Sequence, residues 1–202
     1  MTRHLLIDTD PGIDDALAIL LALRSTDARV EAVTTVAGNV AVDAATANAR
    51  RILAVAAPEP RPPLAGGAAA PLKRALVTAG PVHGQDGLGN LERFVEPDGR
   101  PRYPEPAYQV EMRSGPEVIL DAADRWGADL TIVALGPLTN VALASSRTRA
   151  GWPERVVSWS WAARSRYRAM SHPPPSSIST WIRRRPPRCS TRASRWSWFP
   201  ST

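Results

Sequence analysis

The sequence predicts an α/β fold, a mostly parallel sheet flanked by helices, and three observations predict it. Aliphatic and β-branched runs alternate with alanine-rich stretches of helical length through residues 1–150. That alternation implies βαβ units, whose parallel strands are covered on both faces. Each strand-like run is followed directly by polar residues, at the carboxyl edge where open α/β sheets bind ligands.

In chain order, "HLLIDTD" reads as a buried strand and "DDALAILLALRS" as a helix with Asp14 and Asp15 in its first turn. The helix dipole favours anions there. "VEAVTTVAG" is a second strand, ending at Gly38 and Asn39. "DAATANARRILAVA" follows as a helix, with Asp43 the expected N-cap. Residues 58–71 are dense in Pro, Gly and Ala and read as an irregular connection. Residues 80–108 lack periodicity and read as a long functional loop. "GPEVILDAADRWG" is an amphipathic helix closed by Gly127. "ADLTIVALG" is a third strand, and "PLTNVALASS" opens another helix with Pro137 at its first turn.

Composition narrows the class. The chain of 202 residues is 44% hydrophobic, enough for one sizeable core, and has no 18-residue apolar run. A single cysteine, Cys189, excludes an internal disulfide framework and fits a reducing compartment. With no signal-peptide pattern at the N-terminus, the expected location is cytoplasmic, away from membranes. The net charge of +6 ordinarily points to nucleic acid. It is unevenly placed: residues 151–202 hold ten arginines and one acid, Glu154, giving +9, whereas residues 1–150 hold fifteen basic and eighteen acidic residues, giving −3.

Asp8, Asp10, Asp14 and Asp15 crowd the turn between the first strand and first helix. Like charges so close raise one another's pKa or call for a cation. The spacing lets Asp10, at the strand end, and Asp15, on the helix, converge while Asp14 points to a neighbouring spot. Carboxylates and carbonyls are hard donors suited to Ca²⁺ or Mg²⁺. A plainer alternative is a solvated set of helix-capping acids. An EF-hand fails because the twelfth loop position from Asp8 is Ile19 rather than Glu. No P-loop or dinucleotide fingerprint is present in this turn, and three histidines with one cysteine lie too far apart for zinc spacing.

"DTDPGIDDALAI" closely resembles the N-terminal signature of the nucleoside hydrolases, the inosine/uridine-preferring N-ribohydrolases. "TVAGNV", "VHGQDGLG" and "IVALGPLTNVALA" follow in the family's order, so the resemblance covers residues 3 to 157. It implies the Rossmann-like nucleoside hydrolase fold and hydrolysis of a ribonucleoside to free base and ribose. It also implies a bound Ca²⁺ held by Asp10, Asp15 and the backbone carbonyl of Leu135, with Asp10 as general base for the attacking water. Asp14 and Asn39 would bind the ribose and His83 would lie near the nucleobase. Homo-oligomers are common in the family. Read without the family, Asn39 could simply close a turn and His83 could be an ordinary loop histidine.

The vocabulary changes after residue 157. Residues 158–202 hold five of the chain's seven tryptophans, with Arg, Ser and Pro dominant, and match no family motif. Natural disordered tails are poor in aromatics. One permitted set of codons for "SWSWAAR" reads Met-Val-Met-Gly-Gly-Ala in another phase, so the expected origin of the tail is an out-of-frame reading. One alternative is a basic arm with interleaved aromatics that binds nucleic acid. Another is a truncated, inactive hydrolase.

Overall fold

β1 (Arg3–Thr9), α1 (Ile13–Arg24), β2 (Ala28–Thr35), α2 (Val42–Ala56) and β3 (Leu64–Gly66) follow one another as two βα units and a closing strand. A one-turn α3 (Gly80–His83) sits within a long connection, followed by α4 (Gly115–Trp126), β4 (Leu130–Ala134), α5 (Thr139–Arg147) and β5 (Val157–Ser160). The structure is a computed structural model that describes residues 2–147 and 157–160. The tail's expected character, and the domain boundary proposed for it, lie outside the described residues.

The strands form one sheet in the order β3-β2-β1-β4-β5. Every pairing is parallel, as the βα alternation predicts. β1 therefore lies at the centre, paired along Arg3–Thr9 on one side to β2 and along His4–Asp8 on the other to β4. This accounts for its near-continuous apolar run. Alternate residues of β1 enter different cores. Leu6 packs with Ala32 and Ile132 against Val118, Ile119 and Ala144 of α4 and α5. Ile7 packs with Val33 against Ile19, Ile52 and Leu53 of α1 and α2. This two-sided layering is the expected fold class.

Four local expectations need correction. α2 begins after Ala41, and Asp43 falls in its first turn without capping it by a side-chain hydrogen bond. Its carboxylate still meets the positive end of the helix dipole. Pro137 precedes α5, whose first residue is Thr139, and its carbonyl accepts the Thr139 N–H at 2.8 Å. Residues 58–71 contain β3, whose three residues are too few to leave a period-two signal. Residues 80–108 carry α3, a 3₁₀ turn at Leu91–Arg93 and an antiparallel bridge between Val95 and Pro101. α4 begins with a capping box in which Ser114 and Glu117 bond reciprocally, and it ends at Gly127 in a positive-φ conformation.

Among the described residues no helix is long and apolar enough to cross a membrane. All three polar motifs end at one edge of the sheet: Asp10 one residue past β1, Asn39 after β2, and Leu135-Gly136 after β4.

Candidate active site

At that edge the chain turns sharply from β1 into α1 through Pro11 and Gly12. Asp10 is 5% exposed and Asp15 6% exposed, so both carboxylates leave water on folding. Asp10 Oδ2 accepts the Asn39 N–H at 2.6 Å, and the Asn39 side chain donates to the Asp10 carbonyl at 3.2 Å. The same Asn39 amide reaches Asp15 Oδ2 at 3.5 Å. Asp15 Oδ2 also accepts the Gly12 N–H at 2.8 Å, and its Oδ1 accepts the Thr9 hydroxyl at 3.2 Å.

Two glycines make room for Asp10. A Cβ on Gly38 would collide with Asp10 Oδ2, and one on Gly136 would lie 2.6 Å from Asp10 Oδ1. The Leu135-Gly136 connection therefore runs directly against the carboxylate. Asp14 differs from its neighbours, because its side chain is 69% exposed. His83 Nδ1, on α3, lies 3.9 Å from Asp14 Oδ1. The His83 ring also covers Gly12, where a Cβ would lie 3.0 Å from its Cε1 and 3.1 Å from Asn39 Nδ2. The fold thus brings all six sequence-derived candidates, Asp10, Asp14, Asp15, Asn39, His83 and Leu135, to one edge.

Burial dominates the electrostatics. Desolvation pushes the Asp10 pKa up to about 7; the Asn39 N–H opposes it and the charge of Asp15 adds to it. Asp15 is raised as well, by burial first, with the Gly12 N–H opposing and Asp14 adding. Two buried carboxylates that resist ionisation side by side suit either a proton or a cation. The oxygen donors are of the hard kind that Ca²⁺ takes, though Ca²⁺ needs six to eight of them. Among the described residues, no group of three His, Cys, Asp or Glu side chains could hold a metal ion. The residues therefore fit such a cation in kind, and water or ligand hydroxyls would have to complete its shell.

Four residues without a sequence-derived role also shape this edge: Asp8, Thr34, Asn140 and Asn48. Asp8 is fully buried beneath Asp10, where Thr34 Oγ1 and Asn140 Nδ2 donate to its Oδ1 at 2.6 and 2.8 Å. Asn48 of α2 donates to the Pro11 carbonyl at 3.3 Å and the Asp86 carbonyl at 2.6 Å, tying the acidic turn to the His83 segment. The available signal was an asparagine on the buried stripe of an apolar helix, where an unpaired amide is costly.

The family described as inosine-uridine preferring nucleoside hydrolase matches residues 5–155. The chain belongs to this family. Among curated relatives, the Arabidopsis thaliana protein named probable uridine nucleosidase 2 is 44% identical over 143 residues, covering 70% of this chain and 41% of the relative. The Shewanella baltica protein named pyrimidine-specific ribonucleoside hydrolase RihA is 40% identical over 165 residues, covering 81% of this chain and 48% of the relative. A solved plant nucleoside hydrolase superposes with a TM-score of 0.63 at 37% identity, over 73% of this chain and 44% of its own. The chain spans less than half the length of the curated nucleoside hydrolases that it matches.

Proposed function

We propose that this chain carries the acidic, ribose-facing part of a nucleoside hydrolase site and that its reaction is hydrolysis of the N-glycosidic bond of ribonucleosides. The observation that carries this reading is Asp10, buried at the sheet edge between Gly38 and Gly136 with a pKa near neutrality. A general base works best when its pKa is close to the working pH.

Asp10 takes a proton from water as the water oxygen bonds to C1′ of the ribose. The C1′–N bond breaks, and its electron pair leaves with the base, which acquires a proton from solvent. Cleavage of a glycosidic bond passes through a sugar with oxocarbenium character. The carboxylates of Asp10 and Asp15 stabilise that positive charge, more strongly in a site shielded from water than in the open. Asp14, exposed beside them, accepts from ribose hydroxyls, and the Asn39 amide donates to them. His83 covers the same turn and faces the nucleobase. Asp10, Asp15 and the Leu135 carbonyl would hold Ca²⁺. When bound, that ion orients a diol and lowers the pKa of its water. The relatives' names include uridine- and pyrimidine-directed enzymes, so uridine is the first substrate to try.

The test measures release of ribose and free base from uridine, cytidine and inosine with Ca²⁺ present, for the wild type and Asp10→Ala. Wild-type hydrolysis that falls at least about 100-fold in the variant is expected. Undiminished hydrolysis by Asp10→Ala overturns the base assignment.

A further inference from the structure

One layer beneath the acidic turn lies a buried polar group that the reaction above does not use. Asp8 is fully buried near the end of β1, two residues before Asp10, which follows that strand directly. Its Oδ1 accepts from Thr34 and Asn140, and its Oδ2 has no partner. Its backbone carbonyl accepts the Leu135 N–H at 2.8 Å and the Gly136 N–H at 3.3 Å.

Asn140 sits in the first turn of α5, fully buried, and uses both amide protons. One goes to Asp8 Oδ1 and the other to the Thr35 carbonyl, each at 2.8 Å, while its Oδ1 accepts the Ala68 N–H at 2.8 Å. One side chain thus joins α5 to β1, to the end of β2 and to the connection after β3. The surroundings leave the amide little freedom. A Cβ on Gly67 would collide with both its polar atoms, and one on Gly115 would lie 3.1 Å from its Nδ2.

The peptide of Leu135 and Gly136 is consequently held from two sides by one residue. Its N–H groups rest on the Asp8 carbonyl, and five residues after Leu135 the helix is pinned to the Asp8 carboxylate. Gly136 meanwhile presses against Asp10. We infer that Asp8 and Asn140 are positioning residues, an amide–carboxylate clamp that sets the Leu135 carbonyl against the carboxylates of Asp10 and Asp15. The inference rests on the cation reading proposed above. Groups that hold a metal's direct ligands in place commonly change its affinity by about 10–100-fold when removed. Thr34 bonds the same Asp8 oxygen from β2 without touching α5, so it provides a control.

The experiment is calorimetric titration of Ca²⁺ into the chelator-stripped full chain, for the wild type, Asp15→Asn, Asn140→Asp and Thr34→Val, with circular dichroism on each. Wild-type binding is expected, abolished in Asp15→Asn, weakened at least about tenfold in Asn140→Asp, and little changed in Thr34→Val. A wild type that binds no Ca²⁺ overturns the cation reading and the clamp together. Wild-type binding that Asn140→Asp leaves intact overturns the clamp alone. So does an equal loss in Thr34→Val, which would trace the effect to Asp8 burial rather than to α5. If Asn140→Asp does not fold, Gly115→Ala replaces it, since its methyl group would press directly on the Asn140 amide, 3.1 Å from Nδ2. Unchanged affinity in that variant overturns the clamp.

Discussion

Two of the aspartates in this turn resist ionisation to a degree that has consequences for stability. In the cation-free chain the folded pKa of Asp10 is about 7, against an ordinary value of 3.8. The folded state therefore holds this proton more tightly than the unfolded state does. The resulting stabilisation is complete below about pH 4 and is lost as pH rises through 7. Asp8, raised by burial to about 6, adds a smaller contribution of the same sign over a narrower window. Asp10→Asn carries no such titration. Melted in chelator, the wild type is expected to lose about 5–10 °C relative to Asp10→Asn between pH 5 and pH 8. Added Ca²⁺ should recover more of that loss at pH 8 than at pH 5. A melting difference that stays flat across this range contradicts the buried-carboxylate account. At this scale much was legible. The six candidate residues could be named because charge crowding and short motifs are visible in one dimension. Asn48 and Asn140 were not, since their partners lie 37 and 132 residues away along the chain.

The elements converge because parallel strands deliver every following loop to the same edge. β1, β2 and β4 were legible for the same reason, their apolar runs being bounded by turn residues and separated by helices. β3 was not, and neither was the internal order of residues 80–108. That segment is organised by polar bonds rather than by a hydrophobic period. The Asp86 carboxylate accepts N–H groups from Leu88, Asn90 and Leu91 at 2.9, 2.7 and 2.5 Å. Gly87, at φ 84°, passes so close to Asn48 that a Cβ would lie 3.0 Å from its Nδ2. Asn48 is the buckle between this segment and Pro11. Asn48→Ala leaves two carbonyls without their donor and should destabilise the fold by about 1–3 kcal/mol. Amide exchange is expected to quicken first across residues 83–91, with β1 and β4 still protected. Equal acceleration throughout the sheet would mean that the buckle serves general stability rather than this segment.

Over the whole molecule, the family match and the change in charge share one boundary. The family match ends at residue 155, immediately before β5 pairs alongside β4. The acidic body and the arginine-rich remainder separate there too, at −3 for residues 1–150 and +9 for residues 151–202. A nucleic-acid arm accounts for the arginines, but not for five tryptophans among eleven serines. A shift of reading frame within codons 156–160 would account for both the arginines and the tryptophan- and serine-rich composition. Tryptophan and methionine codons are not degenerate, so the protein sequence already limits which second-frame residues are available. Sequencing the gene across those codons, and translating it in all phases, is expected to reveal nucleoside hydrolase sequence continuing in a second frame. An alternative phase that lacks it, beside an uninterrupted first frame, would leave the tail as this gene's own product. In that case salt-sensitive binding of nucleic acid by the full chain becomes the measurement to make.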